Sequence, residues 1–226
     1  MEHLIHQLNK ENFFYQSVAT LSFAQFGINE IFARGFFLKH RPKFPDDNLF
    51  IAYMTSLDFP QEVQQEVIKT RTFTPLIFVP GFRTKDQVNL YRMIPNYSAI
   101  QFVEEQRGLT TKNIELTHMT ILSAWEKIMA FNLPETPISQ FLRHIRNAAA
   151  HNGKFHFENR AIDKATCQLK QKAEWKTFVI TPSLQSQHLI ARDKNDTDFF
   201  CDQGDIVEFL LDFENHYPIL KKQKVV

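Results

Sequence analysis

The chain has 226 residues, of which 43% are hydrophobic and 23% are charged. Lysine and arginine number 26 and aspartate and glutamate 25, so the formal net charge is +1. A chain of this length can bury a substantial core, in one large domain or two small ones. The near balance of charge excludes a polybasic nucleic-acid tail and an acidic solvating chain, while it leaves room for a local basic patch.

The composition indicates a reducing compartment and no membrane partner. No apolar run approaches the roughly 20 residues that a membrane-spanning helix needs. The first 14 residues mix polar and apolar side chains, so we expect no signal peptide. Only two cysteines occur, Cys167 and Cys201. A cytoplasmic protein is the simpler interpretation, and a single disulfide stays open as an alternative.

Several classes of site are excluded by the motifs that the chain lacks. Its six glycines are isolated from one another, so neither G-x-G-x-x-G nor a Walker loop occurs. C-x-x-C, H-E-x-x-H and G-x-S-x-G are also absent. His144, His151 and His156 lie close in sequence, but no carboxylate or thiolate completes a zinc spacing. We therefore predict neither a cofactor nor a metal site.

Helical periodicity dominates the first two thirds of the chain and predicts a long first helix. The stripe residues alternate at spacings of three and four, which places them on one face: Phe14, Val18, Leu21, Gln25, Ile28 and Phe32. Five further phenylalanines widen this stripe, as expected for a helix packed on more than one side: Phe13, Phe23, Phe26, Phe36 and Phe37. Pro42 ends the helix, because proline lacks an amide donor and restricts the residue before it.

The organisation of the chain predicts a mainly α fold with a small β-hairpin insertion before the last helix. We expect one domain over residues 1–226, with a helical bundle over about 12–153, a β insertion over about 154–203 and a C-terminal helix over about 205–217. Residues Asp86–Tyr91 are predicted helical. Residues 175–180 are typical of a strand, and residues 187–191 are its predicted hairpin partner. Asp205, followed by Glu208, is typical of a helix N-cap.

The informative segment is the helix predicted between Pro137 and Gly153. Thr136 is a capping residue with proline at the first helical position, and Gly153 suits a left-handed C-terminal cap. Helical spacing sorts its side chains into three faces. The buried face holds Phe141, Ile145, Ala148 and Asn152; the second holds Arg143 and Arg146; the third holds His144, Asn147 and His151. We expect His151 in the last turn, where the helix dipole favours its protonated form.

These residue types suit cleavage of RNA by its own 2′-hydroxyl. That reaction needs one proton removed, one proton delivered and the charge of the phosphorane offset. Histidine transfers protons near neutral pH, and a guanidinium binds two phosphate oxygens at once. Asn147 is placed to hydrogen-bond the ring of His151 and fix its tautomer. No metal is required. The alternative, a solvated amphipathic helix without a function, is open at this point.

The pattern Arg146-Asn147-x-x-x-His151 resembles the Arg-x4-6-His signature of the HEPN superfamily. The resemblance extends from about Phe13 to Tyr217 and is firm in residues 142–153. It implies a metal-independent endoribonuclease, often a bacterial toxin or phage-defence effector, in which two protomers form one composite site. Arg146 and His151 would be the catalytic pair, with Asn147 in support. A subgroup has a tyrosine two residues after the histidine; Gly153 stands there, so control through that tyrosine is not supported.

The residues around the motif fit an RNA partner. Residues 143–176 contain eight basic and three acidic side chains, a net charge of +5. The predicted RNA-binding residues are Arg143, His144, Lys154 and Arg160. Phe155 and Phe157 alternate with Lys154 and His156, as in a stacking platform for bases. An alternating strand with both phenylalanines on its inner face explains them equally well.

The prediction from sequence is a homodimeric ribonuclease for single-stranded RNA, with an antitoxin or defence-system protein as a possible partner. The dimer is expected because one Arg–His pair supplies only one proton-transfer group. Two alternatives stay open. One is a non-catalytic HEPN module that binds a nucleotide or a protein, and the other is a purely structural helical domain.

Overall fold

A computed structural model of the protein describes residues 10–57, 61–69, 81–83, 90–92, 99–100, 103, 108–190 and 199–221. This part of the chain is mainly helical, as predicted. The helices are α1 (Tyr15–His40), α2 (Asp47–Ser56), α3 (Gln61–Lys69), α4 (Gly108–Ile128), α5 (Pro137–Ala150), α6 (Gln203–His216) and α7 (Pro218–Lys221). The strands are β1 (Gly81–Arg83), β2 (Leu90–Arg92), β3 (Ala173–Trp175), β4 (Phe178–Ile180), β5 (His188–Ile190) and β6 (Phe199–Cys201).

The chain divides into two compact units, each with its own core. The first contains residues 1–23 and 113–226, and the second contains residues 24–112. The largest buried side chains of the first unit include Phe14, Ile121, Phe141, Ile145, Phe209 and Phe213. The core of the second unit consists of Phe32, Ala33, Phe36, Phe37, Phe50, Met54 and Val67. Phenylalanine thus dominates the second core and shares the first with isoleucine, leucine and alanine.

The predicted first helix is confirmed as α1, and its end at His40 agrees with the proline signal at Pro42. Phe14 and Val18 are buried in the first unit, and Phe32 is buried in the second. The prediction that further phenylalanines widen the stripe is confirmed at Phe36 and Phe37, which are buried, and wrong at Phe23 and Phe26, which are exposed. Periodicity shows which residues share a helix face, but the width of the buried face depends on the elements that pack against it.

The second unit contains a two-stranded antiparallel sheet that the sequence did not predict. Strands β1 and β2 pair with Phe82 opposite Tyr91. Leu90 and Tyr91 therefore lie in a strand, which contradicts the predicted helix Asp86–Tyr91; residues 86–89 of that prediction lie outside the described residues. Cross-strand pairing over a few residues is decided by the partner strand rather than by local propensity.

The β segment precedes α6 as predicted, but its pairing differs. Trp175 pairs with Phe178, so residues 173–180 form a complete antiparallel hairpin around Lys176 and Thr177. Strand β5, which covers most of the predicted partner, instead pairs in parallel with β6. Both cysteines are free, with Cys167 exposed and Cys201 buried, so the disulfide alternative is wrong. Burial raises the pKa of the Cys201 thiol.

The last long helix begins two residues earlier than predicted. Its N-cap is Asp202, whose backbone N–H donates to the carboxylate of Asp205 over 2.8 Å. Asp205 therefore has the N3 role in a capping box rather than the cap position itself. The helix ends at His216, just before Pro218, which opens the separate short helix α7.

Candidate functional site

The helix that holds the predicted site begins as the sequence indicates. The backbone N–H of Thr136 donates to the hydroxyl of Ser139 over 2.8 Å, and the N–H of Ser139 faces the Thr136 hydroxyl at 3.4 Å. Pro137 occupies the first turn. The Tyr217 hydroxyl, which donates to the carbonyl of Pro134 over 2.9 Å, also contacts the Thr136 hydroxyl. The start of α5 is therefore bound to the C-terminal end of α6.

At its other end, α5 stops just before the last residue of the motif. The helix ends at Ala150, and His151 is its C-cap, so the prediction of His151 in the last turn is wrong by one residue. Asn152 and Gly153 both have left-handed backbones, with φ of 56° and 73°. The N–H of Gly153 donates to the carbonyl of Ala148 over 2.9 Å, which closes the helix in a Schellman-type turn.

The predicted faces of α5 are largely confirmed. Phe141, Ile145 and Ala148 are buried. Asn152 is exposed, contrary to prediction, because the chain has already left the helix at that position. Burial of the apolar face holds the helix in place, so the polar side chains of the other two faces keep fixed positions.

The polar side chains of α5 open into a cleft of about 820 Å³. Six of the seven predicted site residues line it, and these are Arg143, His144, Arg146, Asn147, His151 and Arg160. The seventh, Lys154, is exposed and does not line the cleft. Trp125, Gln140, His156, Phe157, Glu158, Ala161, Leu169, Lys170 and Gln171 complete its wall. The cleft lies within the first unit.

Arg146 is fixed against an aromatic wall. Its guanidinium carbon lies 5.9 Å from the centre of the Trp125 ring, and Nη1 donates to the Asn147 amide oxygen over 3.2 Å. Its Nε is buried without a hydrogen-bond partner. Asn147 thus contacts Arg146, whereas we expected it to orient His151. Within the described residues no carboxylate forms an ion pair with Arg146, so its charge is available to an anion.

The cleft has an excess of positive charge. Its lining contains four permanent cations, Arg143, Arg146, Arg160 and Lys170, against a single carboxylate, Glu158. Glu158 pairs with Arg160 at the exposed rim. The charge of Arg160 is therefore partly offset, while Arg143 on the exposed face of α5 forms no ion pair within the described part of the chain. An anionic ligand is favoured by this arrangement.

His144 is neutral at pH 7. Burial and the neighbouring charge of Arg143 lower its pKa to about 4. Its ring lies 5.5 Å from that of Phe157. Because a neutral ring has no charge to attract phosphate, the predicted contribution of His144 to RNA binding reduces to hydrogen bonding and packing.

His156 is a histidine of this cleft that the sequence-based site prediction missed. Residues 153–157 alternate in burial, with Phe155 and Phe157 inside and Lys154 and His156 outside. The two phenylalanine rings stack with centres 6.0 Å apart. The inner-face explanation is therefore correct, and the stacking platform is wrong. The same alternation, present in the sequence, places His156 on the outer side.

His118 lies directly behind the end of α5. A Cβ at Gly153 would lie 2.5 Å from Cε1 and 2.9 Å from Nε2 of this ring. Burial lowers the pKa of His118, and its Nε2 is buried without a hydrogen-bond partner. The ring as a whole is partly buried.

Two further features of the described residues bear on the chemistry. No group of three or more His, Cys, Asp and Glu side chains among them is arranged to hold a metal ion. No helix in this part of the chain has the length and hydropathy to cross a membrane.

Comparison with known proteins identifies no relative. No protein-family model, curated protein or solved structure matches the chain significantly.

Proposed function

We propose that the protein is a metal-independent endoribonuclease of the HEPN type that cleaves single-stranded RNA. One observation is the main support: the basic cleft brings together the guanidinium of Arg146, which pairs with no carboxylate of the described residues, and the exposed imidazole of His151. A phosphodiester bound there meets a fixed positive charge and a proton-transfer group at once. The motif resemblance assigns the same two residues.

The residues of the cleft have distinct tasks in this reaction. The 2′-hydroxyl attacks the adjacent phosphorus, the bond to the 5′-oxygen breaks, and a 2′,3′-cyclic phosphate forms. Arg146 offsets the charge on the non-bridging oxygens, and Asn147 holds its Nη1 in position. His151 transfers a proton. DNA is not a substrate because it lacks the 2′-hydroxyl.

The outer cations extend the binding surface beyond the scissile phosphate. Arg160 and Lys170 line both the main cleft and a smaller hollow of about 460 Å³, which Lys164 also lines. Successive phosphates of one RNA strand can therefore contact a path of basic side chains that runs from the main cleft to the smaller hollow. We propose this path as the reason why the enzyme binds a strand rather than a mononucleotide.

The biological setting in the proposal comes from the resemblance alone. HEPN ribonucleases of this kind act in the bacterial cytoplasm as toxins or phage-defence effectors. We accordingly propose such a role for this chain, with an antitoxin or a defence-system protein as its regulator.

We also propose that two copies associate through the exposed face of α5. Arg143, Ala150 and His151 are exposed on this side. A two-fold axis beside α5 would place two basic clefts next to each other and double the length of RNA in contact with cations.

The decisive experiment measures cleavage of a labelled single-stranded RNA in EDTA. We expect 2′,3′-cyclic phosphate ends or their hydrolysis product, and no cleavage of the same sequence as DNA. A chimeric strand with one 2′-deoxy nucleotide at the mapped cleavage site is the matched control, because only the attacking group is removed. Activity that is lost in EDTA and restored by a divalent ion would contradict the proposal.

A second candidate is a nucleotide-binding module without catalysis. The cleft volume lies in the range of about 300–1,000 Å³ that small-ligand sites occupy, and Trp125 offers an aromatic wall for a base. Calorimetry with mononucleotides separates the two candidates. Tight binding of a nucleotide by a protein that leaves RNA intact would favour the module.

A further inference from the structure

We infer that His156 is the second proton-transfer residue of the cleft and acts on the same phosphodiester as His151 of its own chain. This inference rests on the proposed ribonuclease function. From sequence we argued that one chain supplies only one proton-transfer group; in this inference one chain supplies two.

The two rings are neighbours in space. Their centres lie 5.3 Å apart with the ring planes inclined at 45°, and both side chains are exposed and line the cleft. Proton transfer needs a heavy-atom separation of about 2.6–3.2 Å, and one phosphodiester bound in the cleft against the edges of both rings can meet this requirement at each of them. Within the described residues neither ring forms an ion pair with a carboxylate, which leaves both available to a substrate.

His156 has a fixed place because the residues on both sides of it are anchored. The N–H of Phe155 donates to the carbonyl of Gln187 over 3.0 Å, and the N–H of Ser186 donates back to the carbonyl of Phe155 over 2.9 Å. The N–H of Phe157 donates to the Gln185 amide oxygen over 2.9 Å. The amide nitrogen of Gln185 then lies 3.5 Å from Nδ1 of His156. Main-chain pairing and one glutamine therefore position the ring.

Two histidines complete the proton balance of the reaction. One imidazole takes the proton of the 2′-hydroxyl as its oxygen bonds to phosphorus. The other, as imidazolium, gives its proton to the 5′-oxygen as the phosphorus–oxygen bond breaks. The products are a 2′,3′-cyclic phosphate and a 5′-hydroxyl, and the two rings have exchanged protonation states. Arg146 neutralises charge throughout and transfers no proton.

The first test compares the kinetics of His156→Ala and His156→Gln with those of wild type. We expect kcat to fall by about 10²–10⁴-fold, as for a lost general acid or base, with little change in KM and with loss of one limb of the pH–rate profile. His216→Gln is the matched control, because His216 is an exposed histidine outside the cleft. A kcat within threefold of wild type, with both limbs kept, would overturn the inference while the ribonuclease stands.

A substrate with a sulfur in place of the bridging 5′-oxygen assigns the roles. A thiolate leaves without a proton, so the variant that lacks the general acid regains most of its rate on this substrate. We expect this rescue for one of His151→Ala and His156→Ala, and not for the other. Rescue of neither, or of both, would show that the pair does not divide the two proton transfers.

Mixing the two inactive variants tests whether the pair belongs to one chain. If both histidines act from the same protomer, a mixture of His151→Ala and His156→Ala stays inactive at every ratio. Activity restored by mixing would mean that the partner's histidine completes the site, which overturns the inference in its own-chain form. A wild-type protein that cleaves no RNA would instead reject the proposed function and this inference together.

Discussion

Gly153 lies so close to the imidazole of His118 that a β-carbon there would be 2.5 Å from Cε1. The same glycine has a φ of 73°. Backbone conformation and contact with a neighbour therefore both require glycine at this position. The consequence is functional, because the turn at Gly153 directs the chain from His151 at the end of α5 toward His156.

We expect Gly153→Ala to destabilise the fold by about 2–5 kcal/mol. A left-handed backbone costs an L-residue about 1–2 kcal/mol, and overpacking typically adds about 1–3 kcal/mol. Urea denaturation measures the loss. Gly204→Ala is the control, because no atom lies within 4 Å of a β-carbon at that position. Equal stability of the two variants would contradict the close contact with His118.

The contact can be separated from the backbone effect with a double-mutant cycle. In a His118→Ala background, Gly153→Ala should cost only the backbone part, about 1–2 kcal/mol. His118→Ala itself removes a ring whose Nε2 has no hydrogen-bond partner, so it breaks no hydrogen bond of that atom. Additive effects of the two substitutions would show that the ring does not restrict Gly153.

Substitution of the motif residues should separate catalysis from binding. His151→Ala is expected to lower kcat by about 10²–10⁴-fold and to leave RNA affinity nearly unchanged, because the phosphate-binding guanidinium remains. Arg146→Ala should reduce both kcat and RNA affinity. The magnitude of the slope of log K against log salt should decrease by about 0.7 for one lost phosphate contact. Cleavage assays and fluorescence anisotropy at several salt concentrations measure these effects. If both variants unfold, Arg146 and His151 have a structural role instead of a catalytic one.

His144 should make stability depend on pH. Its folded pKa of about 4 lies below the ordinary histidine value of 6.5, so the unfolded chain binds more protons between these values. Stability is therefore full above pH 6.5 and falls as the pH drops toward 4. The ring is partly exposed, so we expect a loss of only about 1–2 kcal/mol.

Denaturant titrations between pH 4.5 and 7.5 test this dependence, with His144→Gln as the comparison. The glutamine variant should lose part of the slope. The remainder includes His118, whose pKa burial also lowers. An unchanged slope in His144→Gln would show that the ring is not held neutral by the fold.

Helix α6 contributes two carboxylates that bind the hairpin, and their removal should differ in effect. Lys176 pairs with both Glu208 and Asp212, but only Asp212 also accepts from the indole N–H of the buried Trp175, over 2.9 Å. Asp212→Ala leaves that N–H unpaired, which typically costs about 1–3 kcal/mol. Glu208→Ala removes a surface ion pair worth about 0–1 kcal/mol. Thermal unfolding of the two variants should rank them in this order.

The proposed dimer is tested by light scattering at micromolar concentration, with and without RNA. We expect twice the mass of one chain. Replacement of Ala150, on the exposed face of α5, by glutamate should give monomers, because a charge would be buried at the interface. A wild-type monomer under both conditions would contradict the dimer but not cleavage within one chain.

The residues that begin or end α1 and α5 lie within these helices or directly beside them. This is why the sequence predicts both helices well. Thr136, Pro137 and Gly153 each act within a few residues of the backbone groups that they cap or release. The hairpin at β3 and β4 lacks such a signal: its turn has Lys176 and Thr177 where hairpins favour Asn-Gly. Lys176 nevertheless has a φ of 50°, and its contacts with α6 stabilise that turn. Those contacts are invisible in the sequence.

Helical spacing and local caps depend on near neighbours, so the sequence was enough to predict the helix that presents Arg146, Asn147 and His151. It did not reveal that Arg146 lies on Trp125, that Lys154 lies outside the cleft or that His156 returns to it beside His151. Lys154 and His156 have these positions because Phe155 and Phe157 are buried and because the backbone around them is hydrogen-bonded to residues 185–187. Such long-range packing has no fixed spacing along the chain.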